Sequence, residues 1–147
     1  MFRAVLDPAV YVTAILQPQG ACGQILKRFL RDRAFEVIVS PAITDEILRV
    51  FAHGGVRRQI RGAVEPEDWF DDVLALSDLV DDRTPPRVCR DPEDDKYLAA
   101  AVEGRANFVI TGDQSLLALR EHDRVRIESP DAFLGLIGTA APGSREE

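Results

Sequence analysis

Cysteine is scarce: Cys22 and Cys89 are the two in 147 residues, too few and too isolated for a disulfide framework or a thiolate zinc site, which wants closely spaced pairs. Both are read as small core residues. Histidine is equally sparse, and His53 and His122 lack a ligand-like spacing, so neither is assigned a role. Long apolar runs are missing. Nothing approaches the roughly 18 to 20 continuous apolar residues of a bilayer span, and Arg3 and Asp7 interrupt the stretch that a signal peptide would keep apolar. The expectation is a soluble, cytoplasmic protein with no membrane partner. Positive charge is also short, with 18 Lys and Arg against 25 Asp and Glu and a formal charge of −7. That balance excludes gripping nucleic acid through a global positive field, unless several acids gather around cations.

What is present is one domain's worth of chain, 46% hydrophobic and 29% charged, enough apolar surface to offset the entropy of ordering. Short apolar runs at Phe2–Leu6, Phe35–Val39, Asn107–Thr111 and Val125–Ile127 read as strands, with a short extra one near Leu79–Asp81. Helical patterns lie between them at Gln24–Arg33, Pro41–Ala52, Pro66–Leu79, Pro92–Glu103, Ser115–Glu121 and Pro130–Ile137. Strand then helix, repeated, implies an α/β fold with a central parallel twisted sheet of 4 to 5 strands and helices on both faces. The domain is expected over residues 1–137, with 138–147 a flexible tail.

In open α/β sheets reactive groups collect where strands end. Asp7 follows the first strand, Ser40 the second, and Thr111, Gly112 and Asp113 follow Asn107–Ile110. Two more acids lie on helices. With Asp91 as cap and Pro92 at the first helical position, Glu93 and Asp94 are explained by the helix start. Asp95 then shares a face with Leu98, Ala99 and Val102, the stripe that meets the sheet. A carboxylate aimed at the core is costly unless paired or bound to metal. Glu46 lies at the edge of the stripe Ile43, Ile47, Val50 and Phe51, on a helix opened by Ser40 and Pro41. Turn and cap roles remain open for Asp7 and Asp113. Four carboxylates aimed at one edge would repel by about 3 to 4 kcal/mol per pair at about 4 to 5 Å. Such a cluster protonates or holds cations, and oxygen-only donors suit Mg²⁺ or Mn²⁺.

The ordered set Val5-Leu6-Asp7, Ser40-Pro41 with Glu46, Cys89-Arg90-Asp91-Pro92-Glu93-Asp94-Asp95-Lys96-Tyr97-Leu98-Ala99-Ala100-Ala101, and Val109-Ile110-Thr111-Gly112-Asp113-Gln114-Ser115-Leu116-Leu117 resembles the PIN-domain family. It does so over nearly the whole chain, and most closely the toxin components of toxin-antitoxin pairs similar to VapC. The resemblance implies a PIN-like three-layer sandwich and a Mg²⁺- or Mn²⁺-dependent endoribonuclease. Asp7, Glu46, Asp95 and Asp113 would be catalytic at the metal positions, with Ser40 and Thr111 holding a ligand, water or carboxylate. It further implies metal-activated water attacking an RNA phosphodiester, a small antitoxin over the cleft and a homodimer. Two departures stand out: Ala9 where many relatives carry Asn, and Ser115 where many carry an acid. Lost polar groups of this kind cost about 10- to 100-fold in metal affinity or activity.

Arg90, beside the acids, pairs with a carboxylate or contacts RNA, and the sequence leaves both open. The clusters Lys27, Arg28, Arg31, Arg33 and Arg57, Arg58, Arg61 are solvated helix faces or phosphate contacts. The competing reading from another class is a catalytically weakened PIN module that binds RNA or a partner protein without cutting, as Ala9 and Ser115 permit.

Overall fold

Apolar strands flanked by Pro-started helices set the order of elements in the computed structural model, which describes residues 1–62 and 64–138. The segment 139–147, expected as most of a tail, lies outside the described residues. The first half runs β1 (Arg3–Leu6), α1 (Pro8–Leu16), α2 (Ala21–Asp32), β2 (Glu36–Val39), α3 (Pro41–Ala52) and the short α4 (Gly54–Arg57). The second runs α5 (Pro66–Leu76), β3 (Asp78–Leu79), a 3-10 turn at Pro92–Asp94, α6 (Asp95–Glu103), β4 (Phe108–Ile110), α7 (Gln114–Leu117), β5 (Glu121–His122), β6 (Val125–Glu128) and α8 (Pro130–Ile137).

The strands form one sheet in the order β3-β2-β1-β4-β6-β5. All pairings are parallel except β5 with β6. Six strands exceed the expected four to five because both sheet edges carry two-residue pieces. The β5–β6 hairpin turns at Asp123 and Arg124, both left-handed at φ 48° and 69°. Primed turns favour Gly or Asn at such positions, and this chain offers an Asp-Arg pair instead, so the hairpin carries no sequence signal. The helix expected to reach Leu79 stops at Leu76, where Ser77 Oγ donates to Val73 O at 2.7 Å, and the expected Ser115–Glu121 helix shrinks to α7. Pro8 opens α1 instead of a turn, with Asp7 as its cap.

Every residue of Ala4–Leu6, Val37–Val39 and Phe108–Ile110 is buried, the continuous burial of strands covered on both faces. Helix α6 packs across β2, β1, β4 and β6, while α2 pairs with α1 and α8. A T-shaped Phe35–Phe133 contact, with ring centroids 4.9 Å apart, ties β2's approach to α8. No helix among the described residues is long and apolar enough to cross a membrane.

The α1–α2 corner depends on Gly23. A Cβ there would lie 2.2 Å from the Pro18 carbonyl oxygen, which is backbone and cannot swing away. Gly23→Ala is therefore expected to destabilise the fold by about 2 to 3 kcal/mol, read as a lower urea midpoint with an unchanged slope. An unchanged midpoint would show that the corner relaxes freely.

Candidate functional site

Chain direction across the sheet reverses at β1: the first crossovers step outward to β2 and β3, and later ones build β4, β6 and β5 on the other side. The crevice at such a switch point is where open α/β sheets bind ligands. Asp7 and Thr111 leave the neighbouring ends of β1 and β4, and Asp7 N donates to Ile110 O at 2.9 Å. Thr111 is fully buried. Its Oγ1 donates to Asp7 Oδ2 at 2.7 Å and accepts from Asp113 N at 3.0 Å, so one hydroxyl ties both acids to the strand end. Asp7 Oδ1 accepts from Ala9 N at 3.0 Å. Burial raises the Asp7 carboxyl above its ordinary value, more than these bonds lower it, and the charges of Glu46 and Asp113 add to the rise.

Asp113 is exposed and caps α7. Its Oδ1 accepts from Ser115 Oγ at 2.8 Å and Ser115 N at 2.9 Å. These bonds hold its carboxyl below the ordinary value. Ser115, a departure from many relatives, thus fixes the acid that precedes it. Ser115→Ala is expected to move the Asp113 titration upward in a carboxyl-resolved NMR titration; an unmoved curve would mean the hydroxyl contributes nothing.

Glu46 projects from α3, whose start is capped by the buried Ser40. Glu46 Oε1 accepts from Tyr97 OH at 2.9 Å and meets Lys96 Nζ at 2.7 Å, both from α6. Burial works against the Lys96 ammonium, but Glu46 outweighs it and the net shift is upward. Ser40 therefore contributes through its backbone position and cap, and Lys96 and Tyr97, which the sequence reading assigned no role, are the direct neighbours of Glu46.

The stretch after Pro92 departs from expectation. It begins with one 3-10 turn before α6, which rotates the following positions relative to a continuous α-helix. Val102, placed on the inward stripe, is 40% exposed. Asp95 is buried, as expected, but its Oδ1 accepts from Cys89 N at 2.8 Å and Val88 N at 3.3 Å. It fastens the preceding loop. Asp94, read as part of a helix start, makes no capping bond. Its carboxyl is pushed up to about 6 by burial and by the charges of Asp113, Asp91, Asp7 and Glu46. Arg90 is exposed on the loop before the turn.

Asp7, Glu46, Asp94 and Asp113 therefore share one electrostatic field. Among the described residues no three acids stand already gathered at metal-ligating distance. Repulsion explains this: each of Asp7, Glu46 and Asp113 leans on a local donor, and only Asp94 keeps a carboxyl with no such bond and a raised proton affinity. The donor set is all oxygen, which fits a hard divalent ion, and its acids are held near one another without being neutralised.

The family profile described as "PIN domain" matches residues 3–115. The chain belongs to the PIN-domain family. This PIN domain is 28% identical over 144 residues to the uncharacterized protein MJ1680 of Methanocaldococcus jannaschii, the match covering 90% of this chain and 89% of the relative. Among solved structures it resembles PAE2754 from Pyrobaculum aerophilum, with a TM-score of 0.55, 16% identity, and 93% of this chain and 89% of that one covered. It also resembles VapBC2 from Rickettsia felis bound to a DNA fragment from their promoter, with a TM-score of 0.57, 10% identity, and 87% and 98% covered. The three-layer PIN-like fold expected from the sequence is the one observed.

Proposed function

We propose that this PIN domain is a Mg²⁺- or Mn²⁺-dependent endoribonuclease whose metal positions are Asp7, Glu46, Asp94 and Asp113. PIN domains are generally nucleases, and the observation that carries the reading here is the shared field of these acids at the switch point, strongest at Asp94. A site built only to hold the fold has no reason to concentrate unneutralised like charge at a strand edge, because each pair opposes folding. Asp94 takes the position that the sequence reading gave to Asp95.

Divalent ions, when bound, lower the pKa of water and offset charge on a phosphate. The chain's own residues prepare the cleft. Thr111 fixes Asp7 and the backbone of Asp113, Ser115 fixes the Asp113 carboxylate, and Lys96 with Tyr97 fixes Glu46. Asp94 is the acid left free to move and to exchange a proton near neutrality. Such preorganisation supplies rate by avoiding rearrangement during reaction.

The toxin role, a small antitoxin partner and a homodimer belong to the same reading, supported by the likeness to VapC-type proteins. The test is cleavage of end-labelled single-stranded RNA. Cutting with Mn²⁺ or Mg²⁺ that EDTA abolishes is the expected result. No cutting of any RNA in either metal, with tight RNA binding retained, would favour the non-catalytic module.

A further inference from the structure

Lys96 is the one lysine near the acids, and it reaches them from the protein side. The chain has only one other, Lys27. Its ammonium lies 2.7 Å from Glu46 Oε1, with side chains only 16% and 27% exposed. Glu93, 3.4 Å away, is 82% exposed and competes weakly. The ammonium also stands 5.7 Å from the Tyr97 ring centroid, and the Tyr97 hydroxyl donates to the same Glu46 oxygen. Both partners thus fall on Oε1 and leave Oε2 for any further ligand. A pair this shielded is screened by salt far less than a surface pair. It is also directional: the lysine stem runs along α6 and is held at its base by the turn that presents Asp94.

We propose that Lys96 is a resident cation of the acid cleft, neutralising Glu46 so that the cleft takes a single divalent ion. The inference rests on the metal-dependent reading above and adds the stoichiometry. The charge balance argues for it. Four carboxylates with one fixed ammonium carry the charge that one divalent ion and an incoming phosphate leave nearly balanced, and a second ion would have to displace or face the ammonium at short range. Lys96 is a positioning residue, acting through Glu46.

Mn²⁺ titration of the full chain, followed by the electron paramagnetic resonance signal of free Mn²⁺ at about neutral pH, counts the ions. Wild type and Lys96→Arg are expected to bind one equivalent. Lys96→Met, which keeps the stem and loses the charge, is expected to bind two and to melt lower than wild type in EDTA, where Glu46 has lost its counter-charge. Two equivalents in wild type, or one in Lys96→Met, would overturn the proposal. A merely structural ion pair would lower the melting temperature without changing the count. If Lys96→Met does not fold, Lys96→Gln replaces it, and the wild-type count alone still decides. Zero equivalents in wild type would defeat the metal reading itself, and is distinguished by the absence of binding in every variant.

Discussion

Asp94→Asn is expected to reduce metal-dependent RNA cleavage by roughly 10³-fold or more, equivalent to about 4 kcal/mol of lost transition-state stabilisation, while making the metal-free protein more stable. The two effects share one cause. Burial and the charges of Asp113, Asp91, Asp7 and Glu46 push the Asp94 carboxyl up to about 6, so the folded chain binds its proton more tightly than the unfolded chain does. Stability from this group therefore falls as pH rises through the interval between the ordinary carboxyl value and about 6, and the penalty is complete above it. Solvent screening limits the penalty to about 1 kcal/mol. In EDTA, Asp94→Asn should melt above wild type at neutral pH, and the difference should vanish below about pH 4. Divalent ions should reverse the order by stabilising wild type alone. Equal melting at every pH would show that Asp94 feels no such field.

Asp95→Ala should behave oppositely, with a stability loss of about 3 kcal/mol and no separate catalytic defect in the molecules that remain folded. The carboxylate is 4% exposed and accepts the Cys89 and Val88 amides. Truncation leaves both donors without their acceptor in a poorly solvated position, and charge-assisted bonds cost about 1.5 to 3 kcal/mol each when lost. The loop between β3 and the 3-10 turn would then be tethered mainly by Asp82 to Ala42 N at 3.1 Å and by the Arg83–Glu103 pair. Asp95→Asn keeps an acceptor oxygen and should cost less, about 1 kcal/mol. Chemical denaturation alongside initial cleavage rates separates the cases. A folded Asp95→Asn protein that binds RNA but has lost cleavage would return Asp95 to the reacting centre.

The contrast between these neighbours shows where sequence reasoning stopped. Strand ends were legible because apolar runs end at polar residues, and that alone put Asp7, Thr111 and Asp113 on one edge. Helix starts were legible at Ser40-Pro41 and Ser129-Pro130, where hydroxyl caps precede proline. The same Asp-Pro signal at Asp7-Pro8 was read as a turn, and α1 was missed although Asp7 caps it. At Asp91-Pro92 the angular argument assumed 100° per residue from the first helical position. One 3-10 turn advances about 120° per residue, which is enough to exchange the roles of adjacent acids: Asp95 turns to the loop amides and Asp94 to the cleft field. Lys96 and Tyr97 escaped notice because their partner, Glu46, is 50 residues away in sequence and on another helix. Their signal was present as the two polar-ended side chains beside Asp95, but only the packing of α6 against α3 brings them together.

The central claim is that like charge at the switch point is there to receive a divalent ion. Calorimetric titration of Mn²⁺ into wild type, Asp94→Asn and Asp95→Asn at neutral pH tests it most directly. The expected result is binding to wild type and to Asp95→Asn with affinities within about threefold, and a loss of at least about 10-fold in Asp94→Asn. Binding that Asp94→Asn leaves untouched, or no binding to wild type at all, would contradict the account.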